Sequence, residues 1–316
     1  FSGCVVAVEV GIVGLPGSGK TTLFRALTGG GASTGPYGEK PNVGMAPIAD
    51  ARLPRVAAVV GSAETTPAAI RLLDVAGTGA AQLGAVRRAE ALLAVLDAFS
   101  SGAHPARDLE ALRLELLVAD RDHVERRLET VRRQAKSGER ELREQAVELE
   151  RILGHLEGEQ PLSTYQGELP RELEPLTTKP LVAVENGPGG IDCKLEAELT
   201  ELDAEEAAAF RDGPSAVEEI VGRLREALRL IVFFTANENE ARAWTLRDGQ
   251  TALEAAASIH TDIARGFVRC EVIRSDDLVE CGSRAEAARR GLQRLEGKSY
   301  VVEDGDVLQI RFTPAR

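Results

Sequence analysis

Gly14, Gly19, Lys20 and Thr21, within the string GLPGSGKTT, have the types and spacing of a phosphate loop, G-x-x-x-x-G-K-[ST]. Glycines let backbone amides face the α- and β-phosphates with no Cβ in the way, and the first turn of a following helix adds its own free N–H groups. Lys20 would reach the β- and γ-phosphates, and the Thr21 hydroxyl would ligate Mg²⁺. Leu15, Pro16, Gly17, Ser18 and Thr22 make up the rest of the cradle. Further on, Asp74-Val75-Ala76-Gly77 reads D-x-x-G, a carboxylate to hold the metal and a Gly77 amide for the γ-phosphate. A third group is Asn186-Gly187-Pro188-Gly189. Guanine-reading proteins use N-K-x-D here, the acidic group accepting from the base. No carboxylate stands at Gly189, so a guanine-specific pair is not available from this loop. Asn186 is then either a base contact or a turn residue before glycine, and Asp192, Cys193 and Lys194 are candidates to line the base pocket.

These groups need a strand ahead of the loop and a helix behind it. The Val-rich run over residues 5–13 predicts that strand, and residues 20–28 predict the helix, stopped by Gly29-Gly30-Gly31. Residues 31–48, crowded with Gly and Pro, predict an irregular loop. DARLPRVAAVV predicts a helix and AIRLLDVAG a buried strand, while residues 85–97 predict a helix running into a strand. Between 106 and 159 the apolar spacing changes. Leu117, Val124, Leu128 and Val131, then Leu142, Leu149, Leu153 and Leu156, recur at heptad-like intervals around Lys136-Ser137-Gly138-Glu139. That pattern predicts an antiparallel, coiled-coil-like helical hairpin. Its far end, Arg126 to Arg143, carries seven basic residues against three acidic ones, either a solvated face or a contact surface for RNA or a partner. KPLVAVEN over 179–186 predicts another strand. Beyond 229, LIVFFTA and ARAWTL predict strands, TALEAAASIHTDI one helix, GFVRCEVI a strand and SYVVEDGDVLQIRF a hairpin around Asp304-Gly305. Together they suggest a small β-grasp module.

The fold class expected is therefore α/β: a P-loop domain with a mostly parallel sheet over 1–105 and 160–228, the inserted hairpin over 106–159, and a β-grasp-like domain over 229–316. A chain of 316 residues is long enough for several cores. The net charge of -12 argues against broad attraction to phosphate backbones, so any nucleic-acid contact must be local. Four scattered cysteines without C-x-x-C spacing indicate neither a zinc knuckle nor a disulfide framework and fit a reducing, cytoplasmic setting. The start of the chain reads as a strand rather than a signal peptide, and no apolar run reaches the ~18 residues of a membrane-spanning helix. The four histidines form no cluster and are expected to be structural or on the surface.

Along nearly its whole length the sequence resembles the Obg-like, YchF-type P-loop ATPases of the translation-factor class. The resemblance is carried by GIVGLPGSGKTTLFRALT, KPNVGMAPIADARL, DVAG and RDLEALRLELLVADRDHVERRLETVRRQAKSG. The strings ARAWTLRDGQTALEAAASIHTDIARGFVRCEVI and RLEGKSYVVEDGDVLQIRF look like the family's TGS domain and are more specific than the phosphate loop. The resemblance implies a slow, Mg²⁺-dependent ATPase that prefers ATP to GTP. It also implies a monomer that associates with the ribosome, its RNA or its proteins, through the TGS domain and the hairpin. The chain departs from the family pattern at three places. Gly38 stands where a threonine normally helps enclose Mg²⁺, Thr78 where the family has a hydrophobic residue and relatives a catalytic glutamine, and Gly189 where the family has an acidic one. Lys20, Gly77 and Thr78 are the residues at which turnover is expected to be decided. Two readings follow: a slow, Mg²⁺-dependent NTPase whose nucleotide state controls docking to the ribosome, with water positioning and electrostatics in place of a general base, and a nucleotide-responsive or nucleotide-blind ribosome adaptor. A small-molecule kinase is disfavoured, because no Arg-rich lid follows the loop.

Overall fold

The computed structural model describes residues 8–30, 41–75, 79–135, 140–210 and 215–314. The chain runs through β1 (Glu9–Val13), α1 (Lys20–Leu27), β2 (Asn42–Pro47), α2 (Arg52–Val60), β3 (Glu64–Thr66), β4 (Ala69–Asp74), α3 (Ala80–Ala85) and β5 (Ala91–Asp97). Next come α4 (Pro105–Gln134), α5 (Arg140–Glu157), β6 (Leu181–Asn186), α6 (Cys193–Leu199), α7 (Ala204–Ala209) and α8 (Ala216–Ala227). One sheet has the order β2-β4-β1-β5-β6, with β5 parallel to both β1 and β6. β5, ALLAVLD, is buried at every position but its last, as a parallel strand covered on both faces must be. The parallel strands therefore deliver the phosphate loop, the residues after Asp97 and Asn186 to one edge of the sheet. That is where open α/β sheets bind ligands.

Two compact units emerge from the packing. One joins Glu9–Gly44 to Leu72–Phe210, and the other joins Met45–Arg71 to the chain beyond Phe210. In the first, α4 and α5 form the expected hairpin; Lys136, Ser137, Gly138 and Glu139 lie outside the described residues. Val124, Leu128, Val131, Leu149, Ile152 and Leu156 share one buried cluster, against which Leu117, Leu142 and Leu153 pack half-buried. At the root of the hairpin, Leu112, Leu116 and Ala119 join a second cluster with Val13, Leu83, Val86 and Leu92. Arg87 and Asp120 meet there as a buried ion pair at 2.7 Å.

In the second unit β7 (Leu230–Ala236), β8 (Glu240–Arg247), α9 (Ala252–Ile259), α10 (Thr261–Arg265) and β9 (Phe267–Arg274) are followed by α11 (Ser275–Cys281), α12 (Arg284–Arg289), β10 (Arg294–Glu296) and β11 (Asp306–Phe312). The sheet order is β10-β9-β11-β7-β8-β3. β7 and β8 are an antiparallel hairpin, and β11 lies between β9, antiparallel to it, and β7, parallel to it. With α9 packed on Phe233, Trp244, Cys270 and Leu308, this is a β-grasp. β3 extends its edge, parallel to β8.

Several local expectations are corrected. The segment expected to be loop up to residue 48 contains β2, whose inward positions are the small Gly44 and Ala46. Small inward residues carry no hydrophobic alternation, so pairing with the neighbouring strand decides. The helix expected from residue 85 lies earlier, as α3, and residues 86–90 form a turn that buries Val86 and Ala89. TALEAAASIHTDI is broken at His260, whose backbone is extended (φ -165°) and whose Nδ1 accepts from the Asp262 amide. SYVVEDGDVLQIRF forms no hairpin. Asp304 is instead gripped by Arg52 at 2.7 Å, Arg225 at 2.6 Å and the Val232 amide at 2.8 Å, and the Gly305 amide donates to the Val232 carbonyl. Those partners pull the turn onto β7, so β11 pairs with distant strands rather than with residues just before it.

Candidate functional site

The loop between β1 and α1 folds tightly over the end of the sheet. Gly14 (φ 147°) and Gly19 (φ 97°) occupy backbone conformations closed to other residues. A Cβ on Gly14 would strike the Val95 carbonyl, and one on Gly19 would strike the Asn186 side-chain nitrogen. α1 begins without a side-chain cap and without an acidic residue in its first turn. Its leading amides and helix dipole thus remain directed at whatever occupies the loop, an arrangement that suits an anion. Leu15 is half-buried and Pro16 and Gly17 are exposed at the crest, while Ser18 is buried beneath.

Lys20 Nζ donates to the Gly14 and Leu15 carbonyls, both at 2.9 Å, so the ammonium lies over the loop that would hold phosphate. Burial pulls it below the ordinary lysine range, and the charges of Asp74 and Glu115 oppose that shift. Thr21 Oγ1 donates to Asp74 Oδ2 at 2.9 Å, and Asn42 Nδ2 reaches the same oxygen at 3.1 Å. Asp74 is 2% exposed. The hydroxyl and carboxylate expected at a metal are therefore adjacent, and both are hard oxygen donors. No group of three or more His, Cys, Asp or Glu side chains able to hold a metal occurs among the described residues. The Thr21 hydroxyl and Asp74 carboxylate fit Mg²⁺, which binds through one or two protein oxygens plus phosphates and water. Gly38, Gly77 and Thr78 lie outside the described residues; Gln82 of α3 ties itself to the Val75 carbonyl at 3.1 Å.

On the other side of the loop a cavity of about 780 Å³ opens between Gly17, Gly19 and Thr22 and the turn after β6, which contributes Gly187, Pro188 and Gly189. Asn186, 8% exposed, sits at its back. Its Nδ2 donates to the Ser18 carbonyl at 2.9 Å and its Oδ1 accepts from the Cys193 amide at 3.2 Å, so it bolts this turn to the phosphate loop. Asp192 and Lys194 line the cavity as well. The Asp192 carboxylate caps α6, accepting from the Lys194 and Leu195 amides, and Lys194 extends toward Glu198 at 3.8 Å. Cys193 is fully buried and does not line the cavity; burial, then the charge of Asp192, pushes its thiol up to about 12.

Two residues the motifs did not single out belong to this site. Asn42 shares Asp74 with Thr21, and its only signal is its place in the phrase KPNVGM. Phe99, 56% exposed, offers an aromatic face to the cavity from the turn after β5. Nothing in ALLAVLDAF distinguishes Phe99 from a core residue before the strand's end is known.

Comparison with known proteins places the chain in a family. Residues 9–143 match the family model described as 50S ribosome-binding GTPase. Residues 230–313 match the C-terminal model of YchF GTPases, described as a protein of unknown function. The chain is 34% identical to the ribosome-binding ATPase YchF of Bacillus subtilis, over 97% of this chain and 100% of that one. It is 34% identical to the protein of the same description from Escherichia coli O157:H7, over 96% and 99%. A solved structure, the Schizosaccharomyces pombe YchF GTPase, superposes with a TM-score of 0.78 at 27% identity, covering 96% of this chain and 97% of that one. With the phosphate loop, the hairpin and the β-grasp all present in the same order as those matches span them, the chain belongs to the YchF family.

Proposed function

We propose that this chain is a Mg²⁺-dependent nucleoside triphosphatase that takes ATP, hydrolyses it slowly to ADP and phosphate, and uses the bound state to govern association with the ribosome. The observation that carries the reading is the contact of Thr21 with Asp74 beside the uncapped start of α1. In it, the loop amides and Lys20 bind the phosphate chain, Thr21 and Asp74 hold the metal, and Asn42 keeps the Asp74 carboxylate oriented. A bound Mg²⁺ would supply charge neutralisation between the β- and γ-phosphates. Gly77 and Thr78 are assigned to the γ-phosphate side.

Asn186 braces the base-side turn, Phe99 offers a stacking surface, and Lys194 flanks the opening. Cys193 contributes its amide, through Asn186, rather than its thiol. ATP is preferred in this reading because, among the described residues, the one carboxylate lining the cavity is Asp192, and it is committed to capping α6 rather than to guanine N1–H and N2–H. The ribosome enters because relatives are described as ribosome-binding ATPases. The β-grasp, read as a TGS domain, and the basic end of the hairpin are the surfaces assigned to it, in a cytoplasmic monomer. Parallel calorimetric titrations with Mg²⁺-ATP and Mg²⁺-GTP test the base, with ATP expected about tenfold tighter, roughly 1.4 kcal/mol. Phosphate release with and without ribosomes tests turnover; a rate no higher than that of Lys20→Ala would leave only the adaptor reading.

A further inference from the structure

A second cavity, of about 450 Å³, lies within the hairpin-bearing unit, between α4 and the segment that joins α5 to β6. It shares no lining residue with the nucleotide cavity. Its volume is in the range of roughly 300–1,000 Å³ typical of small-molecule sites, and its wall, like theirs, is mostly apolar. Leu116 and Leu176 are buried members of the cluster that holds Val13 and Leu92, and Leu181 packs half-buried against it. Leu117 is half-buried too, while Leu114 of α4 is left 57% exposed at the same cavity. The space therefore has a hydrocarbon floor that continues into the core and a leucine at its opening.

Four charged residues line that space. Arg113 and Glu110 neutralise each other at 2.8 Å on α4. Glu159 is exposed, so water screens its charge. Lys179 differs from all three: it is half-buried, and its ammonium makes no hydrogen bond or ion pair among the described residues. Burial lowers its pKa from the ordinary lysine value, against the charges of Glu174 and Asp120. Both of those carboxylates are engaged elsewhere. Glu174 lies 3.9 Å from Arg88, and Asp120 is held by Arg87, the Leu176 amide and the Thr177 hydroxyl. That hydroxyl, which also lines the cavity, accepts from the Leu162 amide at 3.0 Å and is used up. A half-buried cation without a partner is costly, and it is screened less than an exposed charge. An anion entering here gains more from Lys179 than it loses to Glu159.

We propose that this cavity is a second ligand site, independent of the nucleotide, and that it takes a small aliphatic carboxylate. The tail lies against Leu116, Leu176 and Leu181, and the carboxylate accepts from the Lys179 ammonium. Each half of such a molecule answers one feature of the site. The tail covers leucine surface that water now meets, and the headgroup makes the charge-assisted hydrogen bond that Lys179 lacks. An alcohol with the same tail satisfies only the first, and an alkylammonium sets a like charge beside Lys179.

The test titrates the full chain near neutral pH with three probes of one tail length, hexanoate, hexanol and hexylammonium, followed by ligand-observed nuclear magnetic resonance. Hexanoate should bind with a Kd of about 1 mM or tighter, hexanol about tenfold more weakly and hexylammonium more weakly still. Lys179→Met keeps the hydrocarbon stem and drops the charge. It should weaken hexanoate about tenfold and change hexanol by less than about threefold, while Lys179→Arg should hold hexanoate within about threefold of the natural chain. Lys20→Ala controls for the phosphate loop, the other place that suits an anion, and should bind hexanoate as the natural chain does. Equal affinity for hexanoate and hexanol overturns the assignment, as does tighter binding of hexylammonium. So does hexanoate binding that is absent, unchanged in Lys179→Met, or lost in Lys20→Ala. Should Lys179→Met lose helical ellipticity, Lys179→Gln decides by the same titrations.

Discussion

Removing the Asp120 carboxylate should cost the hairpin-bearing unit a large part of its stability. Asp120 is 1% exposed and Arg87 10%, and their 2.7 Å contact is one of several. Asp120 also accepts from the Leu176 amide at 3.0 Å, the Thr177 amide at 2.9 Å and the Thr177 hydroxyl at 2.8 Å, while Arg87 donates to the Ala119 carbonyl at 2.6 Å. Asp120→Ala leaves a buried guanidinium half-partnered and strands two amide donors where water enters poorly. Breaking a buried pair from one side costs about 3–5 kcal/mol, and orphaned donors add to it without full additivity. A loss of about 4 kcal/mol is therefore expected, against a total of roughly 5–15 for a domain. Urea unfolding followed by ellipticity at 222 nm is the appropriate assay. It reports the long helices α4 and α5, whereas the single tryptophan, Trp244, belongs to the other unit. Arg87→Met combined with Asp120→Ala should lose about 2 kcal/mol less than the two single changes summed, because the double variant buries no lone charge. An Asp120→Ala loss under about 1 kcal/mol, or strict additivity, would refute the claim that this pair anchors the hairpin root.

Two further outcomes follow from the same structure. Gly19→Ala should abolish Mg²⁺-ATP binding in a calorimetric titration while leaving the far-ultraviolet spectrum intact, since the added Cβ would meet Asn186 at a left-handed position; undiminished binding would mean the brace is not rigid. For Asp304, burial raises its pKa, but hydrogen bonds from Arg52 and the Val232 amide and the charges of Arg52 and Arg225 outweigh it, holding the carboxyl below the usual range. A depressed folded pKa contributes stability that is complete above the unfolded value, near 3.8, and is lost as pH falls through the folded one. Unfolding followed by Trp244 fluorescence should therefore weaken below about pH 4. Asp304→Asn should flatten that decline, and an identical slope in the variant would rule Asp304 out as its source.

The sequence by itself determined the strand, loop and helix around GLPGSGKTT, because glycine and lysine spacing there encodes a local backbone path. The same holds for the hairpin, whose partners Val124, Leu128, Leu149 and Leu156 follow from a repeat within each helix. The β-grasp was legible as a run of strands and a helix, but not in its last step. Asp304-Gly305 looks like a hairpin turn in isolation, and only the arginines from α2 and α8 commit it to β7. β2 was hidden because its buried positions are Gly44 and Ala46, which give no apolar signal.

At the candidate site the motif supplied residue types and tertiary packing supplied directions. Asn186 faces Ser18 and Cys193, Cys193 faces the core, and Asn42 shares the Asp74 oxygen. Backbone hydrogen bonding within a few residues leaves a mark on sequence. A side chain's partner far along the chain is set by which faces bury together, and no short string records that choice.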